Sequence, residues 1–185
     1  SRIENGKFEL HPAPTELRPL LEGIVQFHRV QGEKKGLEVQ PQIDPAIPDF
    51  VVVDGLRLRQ ILDNLMGNAL KFTPRGRVNL AAEITASEPD RCRLRFTVSD
   101  TGIGIPATQQ ARIFEKFIQA DGSTARVFGG SGLGLAICRQ LVDRMGGEMG
   151  VSSFEGRGSR FWVEFDLQVV PSPGLREPMP LNADP

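Results

Sequence analysis

The sequence predicts an α+β fold: a mixed β-sheet with helices packed on one face. Two alternating runs supply the strands. Val78, Leu80, Ala82 and Ile84 recur at period two, and Cys92, Leu94, Phe96 and Val98 alternate with Arg91, Arg93, Arg95 and Thr97, the pattern of half-buried strands. Helical spacing supplies the other layer. Leu17, Leu20, Leu21, Ile24 and Phe27 fall on one face, as do Leu133, Ile137, Leu141 and Met145. Between them lies a third helix with Leu58, Leu62, Leu65 and Ala69 on its back, flanked by Ile61 and Phe72.

Taken in order, the first helix is read over Thr15 to Gln31, followed by strands over Leu37 to Ile43 and Phe50 to Val53. Asp54 is placed to cap the next helix, and Pro74-Arg75-Gly76 breaks it. The runs Val78 to Ile84 and Arg91 to Ser99 are joined by a polar turn, so they pair as a hairpin. Pro106 to Ile113 reads as a short helix. Glu115 to Gly130 has little apolar content and reads as a long connection, a class usually functional or disordered. The helix from Leu133 stops at Gly146-Gly147, and Glu148 to Phe154 with Ser159 to Leu167 form a last hairpin. Pro171 to Pro185 holds five prolines and no period, as in a disordered tail or a linker between domains. No internal repeat is apparent.

A chain of 185 residues allows one domain with tails and can bury a sizeable core. A net charge of −1 gives no bulk electrostatic reason to bind nucleic acid or an anionic membrane. Cys92 and Cys138 have no metal-ligand spacing and read as reduced core residues, which suits the cytoplasm. No apolar run reaches transmembrane length. The chain begins at Ser1 rather than Met, so it is expected to be a fragment of a longer protein.

The middle helix carries the most chemistry. At about 100° per residue Gln60, Asn64, Asn68 and Lys71 share a narrow stripe opposite the apolar back. Amide oxygens are hard ligands suited to Mg²⁺, and a nearby ammonium can reach phosphate. An ordinary solvated face would look the same. After the strand at Arg91 comes Asp100-Thr101-Gly102-Ile103-Gly104-Ile105. An ionised Asp accepts without donating, so it can take the exocyclic amine of adenine, and glycine lets a flat ring approach the backbone. Alone, this is better read as a simple Asp-Gly turn. Gly129-Gly130-Ser131-Gly132-Leu133-Gly134 then opens into a helix, offering N–H groups and a positive dipole end to phosphate. It has neither the Lys-Ser/Thr of a P-loop nor the dinucleotide spacing, and alone it is equally a hinge.

Together and in this order, these segments resemble the catalytic, ATP-binding domain of sensor histidine kinases, within the wider Bergerat-fold ATPases. Asn64-Leu-Met-Gly-Asn-Ala-Leu-Lys-Phe-Thr73 is similar to the asparagine box of that family, and Asp100 to Gly104 to its first glycine box. Phe114-Glu-Lys-Phe117 is similar to the phenylalanine box, and Gly130 to Ala136 to the second glycine box. Gly156-Arg-Gly-Ser159 matches a later motif in which the family usually has Thr in place of Ser159.

The resemblance implies a Bergerat-fold α/β sandwich with the nucleotide on the helix side and an ATP lid over Glu115 to Gly130. It divides the chain into the end of a dimerisation helix and linker (1–10), the catalytic domain (11–168) and a Pro-rich tail or linker (169–185). ATP and Mg²⁺ are the implied ligands. Asn68 would hold the metal, with Asn64 in support and Lys71 on phosphate. Asp100 would take the adenine amine, with Gly102, Gly104 and Ile105 giving the ring room. Gly130, Ser131, Gly132, Leu133 and Gly134 would cradle the phosphates, and Phe117, Arg126 and Ser159 complete the expected ATP-binding set. Phe114 and Phe117 are either lid anchors or plain core. Gln119 stands in the region where the family often has an Arg.

In the family the phosphoacceptor is a histidine followed by an acidic residue. Here His11 precedes Pro12 and His28 precedes Arg29, so the acceptor is expected outside the chain. The expected partners are the parent's own dimerisation domain and a response regulator or fused receiver domain, with no nucleic acid. The parent is expected to be a homodimer and this fragment a monomer, a cytoplasmic piece of what could be an inner-membrane sensor. Two alternatives remain: a Bergerat ATPase that uses ATP as a conformational clamp, and a degenerate nucleotide-sensing or scaffold module. Clamp-type relatives typically have an acidic base where Asn64 stands, and a degenerate module would be expected to lose Asn68, Asp100 or the glycines.

Overall fold

The computed structural model describes residues 9–114 and 133–171. In chain order the elements are β1 (Ala13–Glu16), α1 (Leu17–Glu33), β2 (Glu38–Ile43), β3 (Phe50–Val53), α2 (Gly55–Phe72), β4 (Arg77–Ser87), β5 (Arg91–Asp100), α3 (Ala107–Gln110), α4 (Leu133–Arg144), β6 (Glu148–Phe154) and β7 (Gly158–Val170). The strands make one seven-stranded sheet in the order β1-β3-β7-β5-β4-β2, with β6 also paired to β7. β2 runs parallel to β4 and every other pairing is antiparallel, so the sheet is mixed.

Period-two alternation decides which way each strand faces. Leu94, Phe96 and Val98 of β5 and Val163 and Phe165 of β7 are buried on one face. Leu21 and Ile24 of α1, Leu58, Leu62 and Leu65 of α2, and Leu141 and Val142 of α4 join them in one core. The helices therefore cover a single face.

α2 is the best-anchored helix. Asp54 caps it as read from the sequence: Oδ1 accepts from the Arg57 N–H at 3.1 Å, and Oδ2 accepts from the His11 N–H at 2.9 Å. At the other end the Lys35 ammonium donates to the Leu70 carbonyl at 2.5 Å, satisfying one of the orphan groups of the last turn. His28 of α1 is buried and its Nε2 lies 3.0 Å from the Asp63 carboxylate, tying the two helices together.

The structure differs from the sequence reading at several boundaries; α1 runs on to Glu33 and β4 to Ser87. Thr15 belongs to β1 rather than to the first helix: it pairs with Val51, and its hydroxyl donates to the Val53 carbonyl at 3.0 Å. A four-residue edge strand is too short to show a period. α3 ends at Gln110, with a turn beyond it. β7 runs on to Val170, two residues past the expected domain end, because Val169 and Val170 pair with Val51 and Phe50.

The uncovered sheet face is polar and centres on Glu164, which is 5% exposed. Its carboxylate accepts from Arg93 at 2.7 Å, from Arg95 at 2.8 Å and from the Thr85 hydroxyl at 2.5 Å. Arg95 also lies over the Trp162 ring, 4.3 Å from its centroid. Burial alone would raise the Glu164 pKa. The hydrogen bonds from Thr85, Arg95 and Arg93 outweigh it and hold the group at about 2, below its ordinary 4.5. Above pH 4.5 the cluster stabilises the fold, and the contribution is lost as pH falls from 4.5 towards 2. Urea midpoints measured across that window should fall for the parent chain, and Glu164→Gln should flatten the drop.

Candidate functional site

The site grows from the end of β5, where the apolar alternation Cys92, Leu94, Phe96, Val98 delivers Asp100 to the helix-covered face. Asp100 pairs with Ser159 across the ladder to β7. Its Oδ1 accepts two backbone N–H groups, Gly102 at 2.9 Å and Ser159 at 3.3 Å. With Oδ1 occupied, Oδ2 is the oxygen left for a ligand donor. Burial raises the Asp100 pKa above its ordinary value, and these two N–H groups and the neighbouring Thr73 hydroxyl pull it back.

The turn after Asp100 fits because its glycines lack Cβ. A Cβ on Gly102 would collide with the Phe72 carbonyl at the end of α2, and one on Gly104 with the Phe154 carbonyl. Gly104 also sits at φ +71°, where L side chains are strained. Main-chain bonds hold the turn on both sides: Ile103 N–H donates to Phe72 O at 3.1 Å and Gly156 N–H to Ile103 O at 2.6 Å. Ile105 is buried, and its N–H donates to Ser153 Oγ at 2.8 Å.

The end of α2 therefore abuts the Asp100 turn. Asn64 and Asn68 are half-buried on α2 and Lys71 is exposed in its last turn. α4 packs along α2 at Asn64, where buried Cys138 lies 3.7 Å from the Ile61 carbonyl. Burial pushes the Cys138 thiol up to about 11, with a hydrogen bond from Asn64 pulling the other way, so this cysteine is a protonated core residue. Gly134 stands in the first turn of α4 with open space where a Cβ would be. Phe117, Arg126, Gly130, Ser131, Gly132 and the Leu133 side chain lie outside the described residues, as does the segment read as a lid. Phe114 lies edge-on to Phe161, centroids 6.2 Å apart, which is core packing.

Two participants had no signal in the sequence, and a third was visible only as the last residue of the asparagine-box match. Ser153 and Gln110 join the turn to β6: the Gln110 amide donates to both Ile105 O and Ser153 O at 2.9 Å. The third is Thr73. It is fully buried beside Gly102 and Asp100, yet its hydroxyl makes no hydrogen bond of good geometry among the described residues. A buried orphan hydroxyl beside a carboxylate suits a site completed by water or ligand. Among the described residues no cluster of three or more His, Cys, Asp or Glu could hold a metal ion. A metal here would rely on amide oxygens, phosphate and water, a donor set that fits Mg²⁺.

Residues 53–169 match the family described as histidine kinase-, DNA gyrase B-, and HSP90-like ATPases. The chain belongs to this family. It is 41% identical over 172 residues to the signal transduction histidine-protein kinase BarA of Escherichia coli strain K12, covering 93% of this chain and 19% of BarA. It is 38% identical to the peroxide stress-activated histidine kinase mak2 of Schizosaccharomyces pombe, covering 93% of this chain and 8% of mak2. The chain thus spans about a fifth or less of these relatives. Among solved structures, full-length ShkA in complex with AMPPNP superposes with a TM-score of 0.77 at 38% identity, over 90% of this chain and 33% of ShkA. The catalytic domain of histidine kinase ThkA superposes with a TM-score of 0.66 at 25% identity, over 84% of this chain and 95% of that domain. The mixed α+β architecture is that of histidine kinase catalytic domains. No described helix is long and apolar enough to cross a membrane.

A family member with this geometry carries an acid whose charge is disfavoured by its own fold. Because the folded pKa of Asp100 is raised, stability is lost as pH rises from the ordinary carboxyl value to the folded one, and the full cost persists above it. Asp100→Asn should therefore raise the melting temperature of the free chain at neutral pH while shrinking the shift that ATP induces. Gly102→Ala should lower the melting temperature by several degrees, as expected of about 1–3 kcal/mol of overpacking. Differential scanning fluorimetry with and without nucleotide reads both.

Proposed function

We propose that the chain binds Mg²⁺–ATP and transfers its γ-phosphate to a histidine on a dimerisation domain outside this sequence, in two-component signal transduction. The observation that carries this is the pairing of Asp100, one carboxylate oxygen saturated by backbone N–H groups, with an α2 face that presents Asn64, Asn68 and Lys71. A carboxylate fixed in this way selects a base with an exocyclic amine. Two amides and an ammonium suit a triphosphate with its metal.

Phosphoryl transfer asks mainly for positioning and charge stabilisation, so no nucleophile need come from this chain. Asp100 holds the adenine amine, and Gly102, Gly104 and Ile105 shape the slot for the ring. Asn68 is the Mg²⁺ ligand through its side-chain oxygen, and Asn64 supports it from the preceding turn. When bound, Mg²⁺ supplies neutralisation of phosphate charge. Lys71 lies in the last turn of α2 and neutralises the phosphates further. Gly130, Ser131, Gly132, Leu133 and Gly134 present N–H groups to phosphate oxygens, and Phe117, Arg126 and Ser159 complete the ATP contacts. The acceptor histidine belongs to the parent's dimerisation domain, and the phosphoryl group passes on to a response regulator or fused receiver domain. The parent is a homodimer and this fragment a monomer.

The histidines of this chain fit other roles. His28 is buried against Asp63, and His11 lends only its backbone N–H, to Asp54. Incubation with γ-labelled ATP and Mg²⁺ should leave the chain unlabelled. Adding the parent's dimerisation domain should give acid-labile phosphate on that domain, weakly, because the tether's effective concentration is absent. Asn68→Ala should reduce this transfer at least ten-fold, and Asn68→Ala binding should weaken more for Mg²⁺–ATP than for adenosine. Label on His11 or His28, or transfer unaffected by Asn68→Ala, would refute the reading.

A further inference from the structure

Three hydrogen bonds meet at the Ser153 hydroxyl, which is buried with Ser159 behind the Asp100 turn. Ser153 Oγ accepts from the Ile105 N–H at 2.8 Å, lies 3.0 Å from the Gly158 carbonyl and lies 2.8 Å from Ser159 Oγ. A hydroxyl has one proton and two acceptor positions. A carbonyl cannot donate, so the bond to Gly158 O consumes the Ser153 proton. The bond between the two serines must then be donated by Ser159. Ser153 Oγ fills both acceptor positions, one with Ile105 N–H and one with Ser159 O–H. Every donor and acceptor of Ser153 is satisfied in this arrangement.

The consequence falls on Ser159. Its single proton points back at Ser153, so its outward lone pairs can only accept. Ser159 is the cross-strand partner of Asp100, on the same face of the sheet. Paired Cβ atoms across an antiparallel ladder lie about 4.5–5.5 Å apart, close enough for both groups to meet one edge of a base. The edge they can meet together is one that donates.

We propose that Ser153 is a positioning residue that sets base specificity: by taking the Ser159 proton it leaves Ser159 and Asp100 as two acceptors and commits the site to a purine with a 6-amino group. This rests on the reading of Asp100 as the base-recognising carboxylate. A 6-oxo purine puts the lone pairs of O6 where the amine donated, so O6 finds no donor there, and only its N1–H could meet an acceptor. Without Ser153 Oγ, the Ser159 hydroxyl rotates and donates to that oxo group.

The test is calorimetric binding of Mg²⁺–ATP and Mg²⁺–ITP, which differ at position 6 (amine against oxo) and at the adjoining N1 (acceptor against N–H). The readout is the change that each variant makes in ITP affinity, since N1 is the same in every arm. Ser153→Ala should weaken ATP and tighten ITP in absolute affinity, lowering the ATP-to-ITP preference about ten-fold, the size of one lost or gained hydrogen bond. Ser153→Thr keeps the hydroxyl and should keep the preference. Ser159→Ala removes the acceptor without supplying a donor, so it should weaken ATP and leave ITP no tighter. Structural damage cannot tighten a ligand, so a loss of both nucleotides by one factor in Ser153→Ala would overturn the proposal, as would an unchanged preference. Should Ser153→Ala fail to fold, Ser153→Cys, a poorer acceptor of similar shape, must move the preference in the same direction by less, and no movement overturns the proposal. Asp100→Asn is measured alongside. ATP affinity untouched in Asp100→Asn would refute the base-site reading itself, whereas a loss there with no effect of Ser153→Ala would refute only the role of Ser153.

Discussion

The ten residues of β5 pair without interruption against β7, from Arg91 opposite Gln168 to Asp100 opposite Ser159. Along this ladder the inward positions are apolar until the last step, where both strands turn polar together. The register decides everything downstream. A slip of one residue would turn Leu94, Phe96 and Val98 to water and bury the arginines, at a cost no local rearrangement could offset. The hydrophobic effect thus fixes where Asp100 stands, although Asp100 contributes nothing to it. α2 is held to the same sheet by its buried back, so its polar front is presented as rigidly as its apolar side is packed.

How much of this was legible in the sequence depends on the range of the interaction. The periods of β4 and β5 and the amphipathic faces of α1, α2 and α4 are local patterns, and the Asp54 cap is a local motif. Each is found where the sequence places it, except in α1, which begins at Leu17 and leaves Phe27, read with its apolar face, exposed while Val25 and His28 are buried. The asparagine box and first glycine box were visible as motifs, and the structure brings Phe72 and Gly102 into main-chain contact. What was not legible was non-local. β1 exists because Val51 and Val53 need a neighbour. The last two residues of β7 pair with β3 rather than β5. Ser153 is an ordinary serine in sequence; Ser159 was legible in the Gly156-Arg-Gly-Ser159 motif, but the hydrogen bond the two share depends on the turn between β6 and β7. Gln110 looked like part of a polar helix and is instead a clamp on two carbonyls.

Two carboxylates of this sheet show how environment sets opposite fates for the same chemistry. Glu164 has two guanidinium groups and a hydroxyl and is held ionised. Asp100 has two backbone N–H groups, no cation described against it and more of the burial penalty left uncompensated. The first arrangement is complete within the chain and serves stability. The second leaves more of the burial penalty standing, with only backbone N–H groups and the neighbouring Thr73 hydroxyl to offset it, as expected of a site where stability is given up for recognition.

Gly102, Gly104 and Gly158 each bring one stretch of main chain against another, with no side chain between them. The outline of the slot beside Asp100 is therefore drawn by peptide groups, whose dimensions are the same in every protein. Substitutions elsewhere in the core can loosen or tighten the molecule without resizing that slot. A lineage of such chains would be free to diversify its surfaces, helices and tails while the shape of that slot stayed put. The routes to a different slot are few: change the length of a turn, replace a glycine, or rewire the few hydroxyls behind it.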